Sequence, residues 1–240
     1  MGELSKSQID KLGERLRNSP PTDDDLRRLD EFRNSYSSSF NAVRVILQRR
    51  GIEPVARNIK STLSIVAKLR RQNIKLSRIQ DIAGCRIVVS DIIQQNQLVE
   101  KLMVDFPTAD VRDRRIKSSH GYRAVHLIVH ANDKPFEIQL RSTLQHQWAE
   151  LSEKASDIID PEIKYGGPSP YQSLLLTFSN WIAEYELELA SHSAAAAPIG
   201  PITDALFQEN GAKLDRLRAK IEASISGFNE GLESHRSADK

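Results

Sequence analysis

The sequence predicts an α+β protein. Amphipathic helical patterns fill its first and last thirds, whereas the middle third switches to a period of two. The switch is clearest in "YRAVHLIVHA" (122–131) and "FEIQLR" (136–141), which the turn segment "ANDKP" joins as an antiparallel hairpin. With 240 residues, 39% of them hydrophobic and 28% charged, the chain can hold one domain plus appendages or two small domains, and it is too apolar to be disordered.

The elements follow in order. A short helix is expected around residues 5–17. A longer one opens at the capping-box pair Thr22 and Asp25, carries Leu26, Leu29, Phe32 and Tyr36 at helical spacing, and stops at Gly51. After Pro54, "STLSIVAKLRRQ" resumes a helix with Leu63, Val66 and Leu69 on its apolar side, together with Ile65. "CRIVVS" (85–90) is a β-branched strand, followed by a helix through "QQNQLVEKLMVDF". The hairpin leads into a helix from about Thr143 to Ser156 that buries Leu144, Trp148, Leu151 and Ala155. "SLLLTFSNWIAEYELELA" is helical, "SHSAAAAPIGP" reads as a linker, and residues 203–234 form a last amphipathic helix through Leu206, Leu214, Leu217 and Ile221. Trp148 and Trp181 sit at core spacing and are expected to pack.

Several function classes are excluded or weakened. No apolar run reaches the ~18 residues of a membrane span, and the N-terminus lacks a signal-peptide core, so a cytoplasmic, non-membrane protein is expected. The single cysteine, Cys85, is expected to be a buried thiol without chemistry. No Cys/His spacing suits zinc, and no Walker-type loop is present. A net charge of +2 does not identify a nucleic-acid binder, although basic residues cluster at 71–78 and 112–117.

Chemistry is expected on the second face of the hairpin. Phe136, Ile138 and Leu140 alternate with Glu137, Gln139 and Arg141, while Tyr122 and His126 project from the other strand. A lone strand carboxylate is ordinarily only solvated, but one beside cationic and aromatic groups suits a general base or a metal ligand. Asp81, just before the first strand, is a second candidate. Two carboxylates from separate segments are what Mg²⁺ accepts when substrate phosphates complete its shell. Lys60, Ser61, Ser64 and Lys68 lie at the start and along one face of a helix, an arrangement that favours phosphate.

Four stretches, "KSTLSIVAKL", "DIAGCRIVVSD", "HGYRAVHLIV" and "EIQLRSTLQHQWAE", occur in an order that resembles the synthetase domain of the RelA/SpoT alarmone enzymes, over about residues 40–165. The resemblance implies a mixed sheet of about five strands with packed helices, an N-terminal helical segment (1–50), a synthetase-like domain (51–165) and a C-terminal helical extension (166–240). No hydrolase domain with its His-Asp motif is seen ahead of it. The resemblance further implies transfer of pyrophosphate from ATP to the ribose 3′-hydroxyl of GDP or GTP. In that reading Asp81 holds Mg²⁺, and Glu137 is the base and shares the metal. Arg86 lies against adenine, while Lys60, Ser64 and Lys68 grip the donor phosphates. Tyr122 stacks on the acceptor base, and His126, Gln139, Arg141 and Lys117 support the acceptor. Two departures stand out: Asn58 occupies the place where relatives usually carry an Arg, with Arg57 one residue earlier, so that either Arg57 serves beside Arg86 in binding ATP or Arg86 holds it alone, and "RRIKSSH" lacks the proline often found before "GYR".

Other readings use the same residues. Related toxins pyrophosphorylate the 3′ end of tRNA or make adenosine alarmones, and a catalytically silent module that senses nucleotide or an antitoxin is a third. The apolar stripe of residues 203–234 suits either a partner surface, and with it a homo-oligomer through the terminal helices, or the back of the chain's own domain.

Overall fold

Helix starts in this chain are chemically encoded. In α1 (Lys6–Asn18) the Ser5 hydroxyl accepts from the Gln8 amide while the Gln8 side chain accepts from the Ser5 N–H. Thr22 and Asp25 repeat the device at α2 (Asp23–Asn34), as expected. The single long helix expected up to Gly51 is broken. The Ser35 hydroxyl donates to the Phe32 carbonyl, and α3 (Ser37–Arg49) starts afresh. Of the serines in "NSYSSS", Ser35 turns its hydroxyl back on the helix end, whereas Ser37 to Ser39 already belong to α3 and Ser39 reaches the distant Ala131 carbonyl at 2.8 Å. The break sets Phe32 and Tyr36 edge to face at 5.4 Å.

The computed structural model describes residues 4–56, 60–167, 169–195 and 201–238. The remaining elements are β1 (Val55–Ala56), α4 (Thr62–Gln72), a 3-10 turn (Leu76–Arg78), β2 (Gly84–Val89), α5 (Ile92–Asp105), β3 (Asp110–Asp113), β4 (Val125–Ala131), β5 (Lys134–Ser142), α6 (Thr143–Ile158), a second 3-10 turn (Ile163–Tyr165), α7 (Pro170–Ala194) and α8 (Pro201–Ala238). The strands form a five-stranded mixed sheet in the order β1-β2-β5-β4-β3, with β1 antiparallel to β2.

The β4–β5 connection is the tight hairpin read from the sequence. Its two central residues, Asn132 and Asp133, have φ of 50° and 59°, the left-handed pair that matches strand twist. The strand expected from Tyr122 begins only at Val125, because the chain is still turning at His120 and Gly121, with φ of 53° and 90°. β3 was not expected: "DVRD" has too few apolar residues to show an alternating pattern.

The chain divides into two compact units, each drawn from several segments: Met1–Ile87, Leu102–Arg112 and His126–Gln139, then Val88–Lys101, Asp113–Val125 and Leu140–Lys240. In the first, α1 packs on α2 and α4. Gly13 permits the close approach, since a Cβ there would lie 2.7 Å from that of Leu76. In the second, α6, α7 and α8 enclose Trp148, Leu175, Phe178 and Ile182. The Trp148 indole donates to the Leu175 carbonyl at 2.6 Å, and Trp181 packs on the same cluster with Lys220 over its ring.

The last helix takes one of the two uses read for its apolar stripe: Leu214, Ile221, Ile225 and Leu232 are buried in the same cluster as residues of α6 and α7, so these positions form the back of the chain's own core. The expected linker is also shorter than read: α7 continues to Ala194, and residues 196–200 lie outside the described part. Cys85 is buried, as expected. No helix of the described residues is long and apolar enough to cross a membrane.

Ile221→Ala should lower stability by about 2–4 kcal/mol, as for any well-packed aliphatic side chain, whereas Leu206→Ala, at a 56% exposed site, should stay within about 0.5 kcal/mol. Urea denaturation checks this. Equal small losses would mean that α8 is not part of the core.

Candidate active site

Ser61 caps α4, its hydroxyl accepting from the Ser64 amide and donating to the Ser64 hydroxyl. Ser64 and Lys68 thereby share one face of α4, and Lys60 directly precedes its cap. The Lys60 amide donates to the Ile82 carbonyl at 3.1 Å, fixing the cap against the chain just before β2. Both lysines converge on Asp81, the Lys60 ammonium 2.8 Å from Oδ2 and that of Lys68 2.7 Å from Oδ1. Burial pushes the Asp81 carboxyl up, but Lys60 and then Lys68 more than reverse this and hold it below its ordinary range. Tyr36, which the sequence marked only as core, senses the same charge. Burial, followed by the Asp81 carboxylate, pushes its phenol up to about 12. Leu63 is not on the buried side as expected: it is 83% exposed, while Ile65, Val66 and Leu69 are buried.

The second carboxylate stands on the neighbouring strand. The Glu137 amide donates to the Ala83 carbonyl at 3.2 Å, abreast of a residue two positions from Asp81. The polar face of the hairpin is not wet: His126, Glu137, Gln139 and Arg141 are all buried. The first three meet on the Glu137 carboxylate. His126 Nδ1 lies 2.9 Å from Glu137 Oε1, and the Gln139 amide donates to Oε2 at 2.8 Å. Arg86 is half-buried on β2, in register with Val55. Arg57, one of the two alternatives for completing the ATP contact beside Arg86, and Asn58 lie outside the described residues.

Tyr122 and Arg141 form a pair in the second unit. The Arg141 guanidinium lies 5.1 Å from the centroid of the Tyr122 ring, and its Nη2 donates to the phenol oxygen at 3.1 Å. The neighbouring Gly121 is required, because a Cβ there would come within 2.6 Å of the Trp148 ring. Lys117 is exposed. Its neighbours are partly neutralised, Arg112 by Asp110 at 2.9 Å and Arg115 by Asp113 at 2.5 Å. The basic run 112–117 is therefore less positive than its spelling suggests.

Sequence reasoning missed one buried polar network. The Ser142 hydroxyl donates to Glu186 Oε1 and the Gln145 amide to Oε2, while Gln95 bonds Gln145 and the Leu140 carbonyl. Burial pushes the Glu186 carboxyl up. It ties α7 to the start of α6, which follows β5 without a gap. The readable signal was the capping-box pair Ser142 and Gln145 directly after a strand.

Among the described residues no three His, Cys, Asp or Glu side chains gather as a metal cage. Asp81 and Glu137 offer hard oxygen donors on adjacent segments. That donor set fits Mg²⁺ which keeps most of its shell from water and substrate oxygens.

The Lys60–Asp81–Lys68 clamp has a pH signature. A carboxyl held below its unfolded value of 3.8 contributes stability above that pH and loses it as pH falls through the lower folded value. The thermal midpoint of the wild type should exceed that of Asp81→Asn at pH 7, and the gap should close below about pH 4. A gap constant down to pH 2 would contradict the clamp.

With the geometry in hand, the chain can be compared with known proteins. A family model described as the region found in RelA / SpoT proteins matches residues 57–157. An uncharacterized protein of Mycobacterium tuberculosis is 35% identical over 115 residues, 46% of this chain and 42% of its own length. The match thus spans less than half of that relative. The structure resembles small alarmone synthetase 2 from Bacillus subtilis, with a TM-score of 0.52, 26% identity and coverage of 68% of this chain and 98% of that one. It also resembles small alarmone synthetase 1 from the same organism, with a TM-score of 0.53, 25% identity and coverage of 69% and 95%. Residues 57–157 thus match the region found in RelA / SpoT proteins, and the sheet with its packed helices is similar in fold to the small alarmone synthetases.

Proposed function

We propose that this protein is a Mg²⁺-dependent pyrophosphotransferase that moves the β,γ-pyrophosphate of ATP to the ribose 3′-hydroxyl of GDP or GTP and releases AMP. One observation carries the reading: Lys60, just before the cap of α4, and Lys68 on that helix converge on Asp81, next to the strand on which Glu137 is buried. Phosphoryl-type transfer needs positioned charge more than covalent chemistry. Ammonium groups that pair with a carboxylate at 2.7–2.8 Å are equally suited to phosphate oxygens.

In this reading Lys60, Ser64 and Lys68 bind the donor phosphates and Arg86 lies against the adenine. The Tyr122 ring, braced by Arg141, offers a face to the acceptor base. The acceptor 3′-oxygen forms a bond to the β-phosphorus as the bond to the bridging oxygen of AMP breaks, and Glu137 takes the hydroxyl proton. Asp81 and Glu137 would hold Mg²⁺, which when bound neutralises phosphate charge. A guanine nucleotide suits the acceptor side better than tRNA, because the run 112–117 has spent two of its cations on Asp110 and Asp113.

The test is an assay with β-labelled ATP and Mg²⁺, offering GDP, GTP, ATP and deacylated tRNA separately. Label should appear on a guanosine product and fall at least a hundredfold in Asp81→Ala. Label on tRNA alone would replace the acceptor with RNA, label on ATP would make the product an adenosine alarmone, and no transfer to any acceptor would leave a silent binding module. Acceptor KM should also vary only weakly with salt, since a nucleotide presents far fewer phosphates than RNA. A KM rising by orders of magnitude between about 50 and 200 mM salt would point to RNA.

A further inference from the structure

The hairpin does more with His126 than offer it to an acceptor. A connection of two residues, Asn132 and Asp133, sets His126 across from Gln139 and one diagonal step from Glu137. These three side chains share one face and are 6%, 5% and 7% exposed. Each oxygen of the Glu137 carboxylate receives its own neighbour, His126 Nδ1 at 2.9 Å on Oε1 and Gln139 Nε2 at 2.8 Å on Oε2. A carboxylate this far from water must be bonded on both oxygens or lose its charge. Two donors from opposed strand positions fix the carboxylate plane, as a preorganised base requires.

Resting on the pyrophosphotransfer reading, we propose that His126 is a positioning residue acting through Nδ1–H. It holds the Glu137 carboxylate in the orientation that receives the acceptor proton, rather than serving chiefly as a contact to the acceptor. The two ring nitrogens make the roles separable. Asparagine carries its amide nitrogen near the place of Nδ1, and glutamine carries one near the place of Nε2.

In the label-transfer assay His126→Asn should keep kcat within about tenfold of wild type. His126→Gln and His126→Leu should lose about a hundredfold or more in kcat, with the KM of donor and acceptor unchanged within about twofold. Binding of a non-hydrolysable ATP analogue to each variant shows that the domain has folded. The proposal is overturned if His126→Gln is active and His126→Asn is not, if the acceptor KM rises while kcat holds, or if all three variants match one another. A second readout does not depend on turnover. In ¹⁵N-histidine spectra the Nδ1 of His126 should carry a proton and its resonance should move in Glu137→Gln. A proton on Nε2 alone would overturn the positioning role even in a chain that transfers pyrophosphate. A protonated Nδ1 in a chain that transfers none would uphold the contact and sink only the functional reading.

Discussion

The structure turns on the cost of burying charge. The polar side chains His126, Glu137, Gln139 and Arg141 of the β4–β5 hairpin are buried, so they cannot be satisfied by water. An unpaired carboxylate or guanidinium there would cost several kcal/mol, and each polar residue has therefore been given a partner. Glu137 takes His126 and Gln139, and Arg141 takes the Tyr122 hydroxyl. A tight turn with left-handed residues at Asn132 and Asp133 holds the two strands to a register in which these partners meet. The site's chemistry is thus fixed by a packing requirement.

The same accounting explains the second carboxylate. Asp81 sits where the chain enters β2, partly buried, and without Lys60 and Lys68 its burial would favour the neutral acid. With them it stays ionised across the physiological range. α4 is placed to deliver both cations because its cap, Ser61, is set by the Lys60 bond to the Ile82 carbonyl. Positive charge is thereby stored beside a carboxylate, in a form that an incoming phosphate can share.

Much of this was legible in the sequence. Period-two alternation in residues 122–141 and the turn "ANDKP" gave the hairpin, and Ser/Thr caps gave the helix starts. The α+β class and a sheet of about five strands hold in the structure. Other features were hidden for definite reasons. The break at Ser35 depends on a side-chain bond that competes with a helix, and β3 is too charged to show alternation. That the hairpin's polar face is buried cannot be read from alternation, which tells the two faces apart but not which one meets water. Glu186 sits in an apolar helix, and only tertiary contact reveals that it bonds the cap of α6. The fate of α8's apolar stripe was equally open, because an amphipathic face looks the same whether it meets a partner or its own domain.

The most direct test of the account is Glu137→Gln, a change that keeps size and removes the proton acceptor. Single-turnover transfer from labelled ATP should fall by at least a hundredfold while affinity for a non-hydrolysable ATP analogue stays within about threefold, because a missing base slows chemistry without loosening the donor. Transfer within about threefold of wild type would show that the buried carboxylate is structural and that the base lies elsewhere.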